Sequence, residues 1–382
     1  MKIQRLLLRN FRNIRRCDLV PGAGMNILTG DNGQGKTNLL EAIYFLAHLS
    51  SFRPTPQKGM ILEGEKAARL EAAIETEAGC KEIAVYFQAK TKQAKVNGKA
   101  IQRGVDFFGE LAVILFAPES LKLVKEGPEF RRRFMDRAIS RTDRKYLVEL
   151  KEYGKILEQR NRQLQLVRAG RVPRQALKVW SDQLAHMGSR IILTRYRYLE
   201  AMVPVCRDVF QALAHKKWDL GIQYRSSLAR RPHSGQENET PSLNDLIGRF
   251  HDSLAQVESQ DILAGASRIG PHRDDLSFQV EGRPFKGFSS QGESRMLALT
   301  LILSEARLYN SQCGLNPILL LDDVGSELDR RHQEFLQTYL MPQGQIFLTT
   351  TDGHASPGMS PEATFFHVKK GEINVEKQGE KM

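Results

Sequence analysis

The chain has 382 residues, 41% hydrophobic and 26% charged, and 56 Lys and Arg against 44 Asp and Glu leave a formal net charge of +12. That length suffices for a sizeable core in two domains, or in one domain with a large insertion, and the composition is too ordinary for a fibrous or disordered protein. No apolar run approaches bilayer length, and Arg5, Arg9, Arg12, Arg15 and Arg16 interrupt the N-terminal segment before a signal-peptide core develops, so the expectation is a cytoplasmic protein with no membrane partner.

Ile3, Leu6 and Leu8 alternate approximately, and "MNILT" follows a Pro-Gly-Ala-Gly turn, so two strands are expected before residue 30. There "GDNGQGKT" (30–37) leads into an amphipathic segment with Leu39, Ile43 and Leu46 on one helical face. Gly30, Gly35, Lys36 and Thr37 fit the G-x-x-x-x-G-K-[ST] spacing of a phosphate-binding loop. Backbone N–H groups of such a turn point inward at an anion, and the helix dipole adds to the attraction. Gly30, Asp31, Asn32, Gly33, Gln34 and Gly35 are thus expected to cradle nucleotide phosphates, with Lys36 reaching the β- and γ-phosphates and the Thr37 hydroxyl ligating Mg²⁺. The alternative, an accidental glycine turn, does not account for a strand before it and a helix after it.

Strand-like runs around residues 83 to 101 flank Asn97-Gly98, which favours a tight hairpin. From Pro118 to about Asp261 the pattern is helical. Leu150, Leu157 and Leu164 recur every seven residues, and Leu177, Trp180, Leu184 and Met187 continue at spacings of three or four. "RAGRVPR" (168–174) breaks the run, which reads as a helix, a basic tip and a returning helix. Residues 121–174 hold 16 basic and 7 acidic side chains, suiting either a polyanionic partner or a solvated helical surface. Arg131, Arg132 and Arg133 fit contacts to DNA or pairing with carboxylates across a lobe boundary. Arg168, Arg171 and Arg174 are better DNA candidates, since a turn has no packing reason to collect three arginines. Trp180 and the tyrosines at 146, 153, 196 and 198 are expected in the core. The polar stretch 229–242 reads as a surface loop.

His272 and Arg273 precede a hairpin expected across Glu281-Gly282 and are read as structural. Ser290, Gln291, Gly292 and Glu293 then open an apolar helix, as a second anion site or a plain serine cap. "PILLLDD" (317–323) has the apolar run of a buried central strand ending in two acids, with Asp322 as metal-linked acid and Asp323 as candidate general base. Ser326, Glu327 and Asp329 follow. "QGQIFLTTT" and "ATFFHVKKGEINVE" are strand-like, and the last six residues read as a tail. Cys17, Cys80, Cys206 and Cys313 form no metal or disulfide pattern and are read as buried thiols.

The order of glycine loop, serine-glycine helix start, Asp-Asp strand end and Ser-Glu-Leu-Asp stretch resembles the ABC-type ATPases of the SMC and Rad50 class. "LLLRNFRNI", "LFAPESLKLVKEGPEFRRRFMD" (115–136), "GPHRDDLSF" (270–278) and "LLLDDVGSELD" (319–329) narrow the resemblance to the RecF family. The resemblance implies an α/β ABC-type P-loop ATPase head with an inserted helical lobe lacking a long coiled coil. Its expected parts are an ATP-binding lobe over 1–117 and 266–382 and a helical lobe over 118–265. It further implies ATP and Mg²⁺, with Arg12 and Asn13 near the base. ATP would close a homodimer in which Ser290 of one copy caps the γ-phosphate held by the other. The implied role is DNA binding at gaps or duplex in recombinational repair and replication restart, with RecO and RecR as partners and slow, DNA-dependent ATP hydrolysis as a switch. A DNA-bridging SMC-like head or an ABC transport ATPase are the alternatives. Glu126, Glu293, Ser294 and Asp323 depart from the pattern, and "FLTTTD" (347–352) has no histidine at the switch position of transporters, which points to Thr350 or Thr351 as γ-phosphate sensor.

Overall fold

A computed structural model of the chain describes residues 1–77, 79–214, 218–228, 240–285, 290–323, 344–350 and 363–376. Ser326, Glu327, Asp329, Thr351, most of the 229–242 stretch and the last six residues lie outside the described residues. Two compact units emerge: Met1–Leu121 with Ala212–His215 and Arg295–Met382, and Lys122–Gln211 with Lys216–Ser294.

The first unit contains β1 (Lys2–Phe11), β2 (Ile14–Leu19), β3 (Met25–Thr29), α1 (Lys36–His48), β4 (Ala67–Thr76), β5 (Gly79–Gln88), β6 (Lys92–Val96), β7 (Lys99–Ile101), α2 (Gly104–Phe107) and β8 (Val113–Phe116). The second contains α3 (Lys122–Lys125), α4 (Pro128–Thr142), α5 (Arg144–Arg168), α6 (Lys178–Ala214), β9 (Leu220–Arg225), α7 (Leu243–Ala264), β10 (Asp275–Val280) and β11 (Arg283–Pro284). Helix α8 (Gln291–Cys313) begins in the second unit, and β12 (Ile318–Leu321), β13 (Ile346–Thr349), β14 (Thr364–Lys369) and β15 (Glu372–Val375) return to the first.

Two sheets sandwich α1 in the first unit. One is antiparallel, in the order β2-β1-β4-β5-β6-β7; the other runs β15-β14-β3-β13-β12-β8 and is parallel apart from β15. Strands β3, β12 and β13 are buried along their whole length, as expected of central parallel strands covered on both faces. In the antiparallel sheet burial alternates, so Ile3, Leu6, Leu8 and Phe11 of β1 turn inward. Phe45 of α1 packs there against Phe11 and Phe87, with ring centroids 6.5 and 4.9 Å away. Three strands, not two, precede the glycine loop. Strand β2 escapes the sequence pattern because Arg15, Arg16 and Asp18 alternate with only three inward residues, Ile14, Cys17 and Leu19. Cys17 and Cys206 are buried, but Cys80 and Cys313 are exposed, which corrects the expectation of four buried thiols.

In the second unit α5 and α6 form the hairpin expected around the basic tip. The unit extends to Ser294, not 265, because β10 pairs along its length with β9, which lies between the helices α6 and α7. Arg160 of α5 and Asp261 of α7, 1% and 0% exposed at the side chain, pair at 2.7 Å, and Ser267 takes a second guanidinium hydrogen bond. Tyr146, Tyr153 and Tyr198 are buried, consistent with core roles, and Tyr196 packs edge-on against Tyr224.

His272 is structural within this unit. Its Nε2 lies 3.1 Å from the Ser267 carbonyl and its Nδ1 lies 2.7 Å from the Tyr153 hydroxyl, a pattern that fits a neutral ring donating through Nε2 and accepting at Nδ1. Burial lowers its pKa to about 4. Because the unfolded imidazole titrates near 6.5, this contribution is present above that pH and is lost as pH falls toward 4, amounting to about 3 kcal/mol. Denaturant titrations at pH 7 and pH 4.5 should show a smaller loss of stability for His272→Asn than for the parent. Equal losses would mean that this ring is not held neutral.

Candidate nucleotide site

Strand β3, flanked by β14 and β13, delivers the chain at its C-terminal end into the loop 30–35, and α1 carries it away. A Cβ on Gly30, at φ 130°, would fall 2.3 Å from the Val368 carbonyl oxygen, and one on Gly35, at φ 121°, 2.8 Å from Asn13 Oδ1. Only glycine lets the loop pass so close to these atoms. Gly35 caps α1 without a side-chain hydrogen bond, so its first N–H groups have no capping side chain and are available to an anion.

Lys36, Thr37, Asp322, Asp323 and residues of the loop line one cleft of about 350 Å³. Lys36 Nζ donates to the carbonyls of Gly30 and Asp31, the latter at 2.9 Å. Burial lowers its pKa, against the opposing pull of Asp323, Asp322 and Asp31. Asp322 accepts at Oδ1 from the Thr37 hydroxyl and from the Thr349 hydroxyl, both at 2.8 Å. Burial raises its pKa despite these bonds, as removal from water disfavours the carboxylate. Asp323 leaves the strand in a left-handed conformation, φ 53°, which an aspartate tolerates, and its N–H donates to Thr349 Oγ1 at 2.9 Å. Thr37 and Asp322 thus offer hard oxygen donors beside the phosphate loop, a set that fits Mg²⁺ taking its other ligands from phosphates and water. Bound there, the ion would supply charge for the phosphates.

The Thr349 hydroxyl joins the acid pair, donating to Asp322 and accepting from the Asp323 N–H. Thr350 is buried and its N–H bonds the Leu28 carbonyl, while Thr351 lies outside the described residues. Gln34 is not among the lining residues; its carbonyl accepts from Asn13 Nδ2 at 2.9 Å and Gly371 N at 2.8 Å, and its Oε1 from Lys370 N at 2.7 Å. Arg12 and Asn13 support the site from behind: Arg12 is bidentate to the fully buried Glu41, and Asn13 Oδ1 accepts from Asn38. The sequence reading missed Arg53, which lines the cleft and donates to Asn38 Oδ1 at 3.0 Å and Glu41 Oε2 at 3.4 Å. It lies in the irregular segment after α1, which has no periodic pattern, so only the fold reveals it.

Ser290 belongs to the second unit and opens α8. Its Oγ accepts from Glu293 N–H at 3.2 Å, and Glu293 Oε2 accepts from Ser290 N–H at 2.7 Å. That reciprocal capping box explains the glutamate at 293 and leaves the serine hydroxyl a proton to donate. Arg131 is corrected: it is 5% exposed, bidentate to Asp275 and bonded to the Leu123 and Glu126 carbonyls, so it pairs within its own unit instead of meeting DNA. Arg132 donates to the Asp274 carbonyl at 2.8 Å and is half-buried, a poor phosphate contact for the same reason. Arg168, Arg171 and Arg174 are exposed at the helical hairpin tip.

Residues 2–374 match the family model described as "RecF/RecN/SMC N terminal domain". A protein of Geotalea daltonii named DNA replication and repair protein RecF is 34% identical over 352 residues, 92% of this chain and 93% of that protein. A solved structure titled as the recombination mediator protein RecF with ATP, in the RecFOR pathway, superposes with a TM-score of 0.90 at 29% identity over 98% of this chain and 97% of that one. An Smc head domain of Pyrococcus furiosus shares the fold, with a TM-score of 0.56 at 14% identity over 98% and 95% of the two chains. The α/β ATPase head with a short helical insertion is therefore the architecture. Among the described residues no helix is long and apolar enough to cross a membrane.

Proposed function

The chain belongs to the RecF family of ATPase heads, and from that membership we propose an ATP-dependent DNA-binding protein of recombinational repair and replication restart. The observation that carries this reading is the cleft in which the glycine loop, Lys36, Thr37, Asp322 and Asp323 converge. ATP and Mg²⁺ fill that cleft, and Ser290 of a second copy caps the γ-phosphate. The closed homodimer holds gapped or duplex DNA on a basic surface that includes Arg168, Arg171 and Arg174. Asp323 orients the attacking water, and slow hydrolysis reopens the dimer. RecO and RecR are the partners with which the recombinase is loaded, in the cytoplasm. The ATP-bound relative and the names of the family's members support this assignment.

Sedimentation of the full chain with a non-hydrolysable ATP analogue, with ADP and without nucleotide tests it, each with and without gapped DNA. A dimer with the analogue alone, retained on DNA, is the expected result; a monomer at saturating analogue rules out the shared site. In the same assay, reversing the charge of Arg168, Arg171 and Arg174 should flatten the salt dependence of DNA binding while nucleotide affinity stays constant. An unaltered slope would move the DNA to another surface.

A further inference from the structure

The outer face of the antiparallel sheet carries a row of side chains that neither the nucleotide site nor the helical hairpin uses. Arg16 of β2 stands opposite Arg9 of β1, Arg9 opposite Arg69 of β4, Arg69 opposite Tyr86 of β5, and Tyr86 opposite Gln93 of β6. All five are exposed, and Tyr86 keeps 43% of its surface in solvent. Like charges directly opposite one another destabilise a sheet, so folding alone gives no reason for three arginines in register. Neighbouring carboxylates relieve part of this: Asp18 binds Arg5 at 2.7 Å, and Glu71 pairs with Arg69. The side chains of Arg9 and Arg16 make no hydrogen bond or ion pair among the described residues, although Arg16 stands within the field of Asp18. Two hollows adjoin Arg69. One, about 290 Å³, is lined by Arg9, Arg16 and Arg69 together with Asp18 and Glu71; the other, about 170 Å³, lies between Tyr86, Gln93 and Lys95, where the small Ala84 leaves room beside the ring.

We propose that this sheet face binds single-stranded nucleic acid, its phosphates on Arg9 and Arg16 and an unstacked base on Tyr86. Two unpaired guanidinium groups next to an exposed ring are the combination that a single strand satisfies, since its backbone is anionic and its bases are free to stack. A duplex offers the phosphates but keeps its bases inside, and a run of carboxylate side chains offers no aromatic face to the tyrosine. The proposal rests on the DNA-binding reading above for the identity of the polyanion, and it places the single strand on a surface separate from the hairpin tip.

The test is fluorescence anisotropy of the full chain with labelled oligothymidylate, without nucleotide. Tyr86→Ala should weaken binding about tenfold with little change in salt slope, and Tyr86→Phe should restore it. Replacing Arg9 and Arg16 together by Gln should weaken binding and lower the slope of log affinity against log salt by about 1.4, corresponding to two phosphates. Irradiation of the unmodified protein with an iodouridine-substituted strand, which needs no variant, should give an adduct at Tyr86. Adducts confined to other peptides, or unchanged affinity in all variants while ATP-dependent duplex binding persists, overturn the inference and leave the proposed function standing. Polyglutamate bound with the same sensitivity to Tyr86→Ala overturns it in favour of an acidic protein. No binding of any DNA by the parent protein removes both.

Discussion

Lys36→Ala should lower affinity for Mg·ATP by roughly a hundredfold to a thousandfold, the loss expected when two charge-assisted hydrogen bonds to phosphate disappear. The ammonium already sits at the loop, tied to the Gly30 and Asp31 carbonyls, and burial lowers its pKa. An arriving triphosphate exchanges those neutral acceptors for anionic ones. Lys36→Arg should not restore binding, because a planar guanidinium is too rigid to replace a compact ammonium in so close a cradle. Nucleotide-dependent dimerisation and DNA retention should fail together in both variants. Calorimetric titration measures the affinity; a value within tenfold of the parent would mean that the phosphates lie elsewhere.

Asp322→Asn should have opposite effects on activity and on stability. Loss of the carboxylate would remove the charge proposed to hold Mg²⁺ near Thr37, and the ATPase rate should drop at least roughly a hundredfold. Burial holds the Asp322 pKa above the ordinary carboxylate value, so at neutral pH the ionised form is disfavoured by the fold. An amide keeps the shape and can still meet the Thr37 and Thr349 hydroxyls, so the nucleotide-free variant should melt a few degrees higher than the parent. By the same linkage the parent's affinity for Mg·ATP should fall as pH drops through the raised pKa, whereas the variant's should not. A lower melting temperature in the absence of nucleotide would show that the buried charge helps the fold instead of opposing it.

Gly30, Gly35, Lys36 and Thr37 are consecutive enough that their spacing alone forecasts the loop, and Asp322 is announced by the apolar strand it ends. Thr349 is not legible in this way. Three threonines in a row are equivalent until the pairing of β13 with β3 sets which hydroxyl faces Asp322. Arg131, Arg132 and Arg133 give a similar lesson. Consecutive residues on a helix diverge by about 100°, so one arginine is buried on Asp275, the next half-buried and the third exposed. Nor does the sequence disclose that β9 claims β10 for the helical unit, since that pairing joins residues far apart in the chain.

Lys370, whose N–H donates to Gln34 Oε1, is made 336 residues after it. Strand β3 likewise waits for β13 and β14 to flank it. A ribosome therefore adds those 336 residues before the phosphate cradle has this back wall. A nascent chain thus presents the glycine loop long before the strand and turn that back it exist.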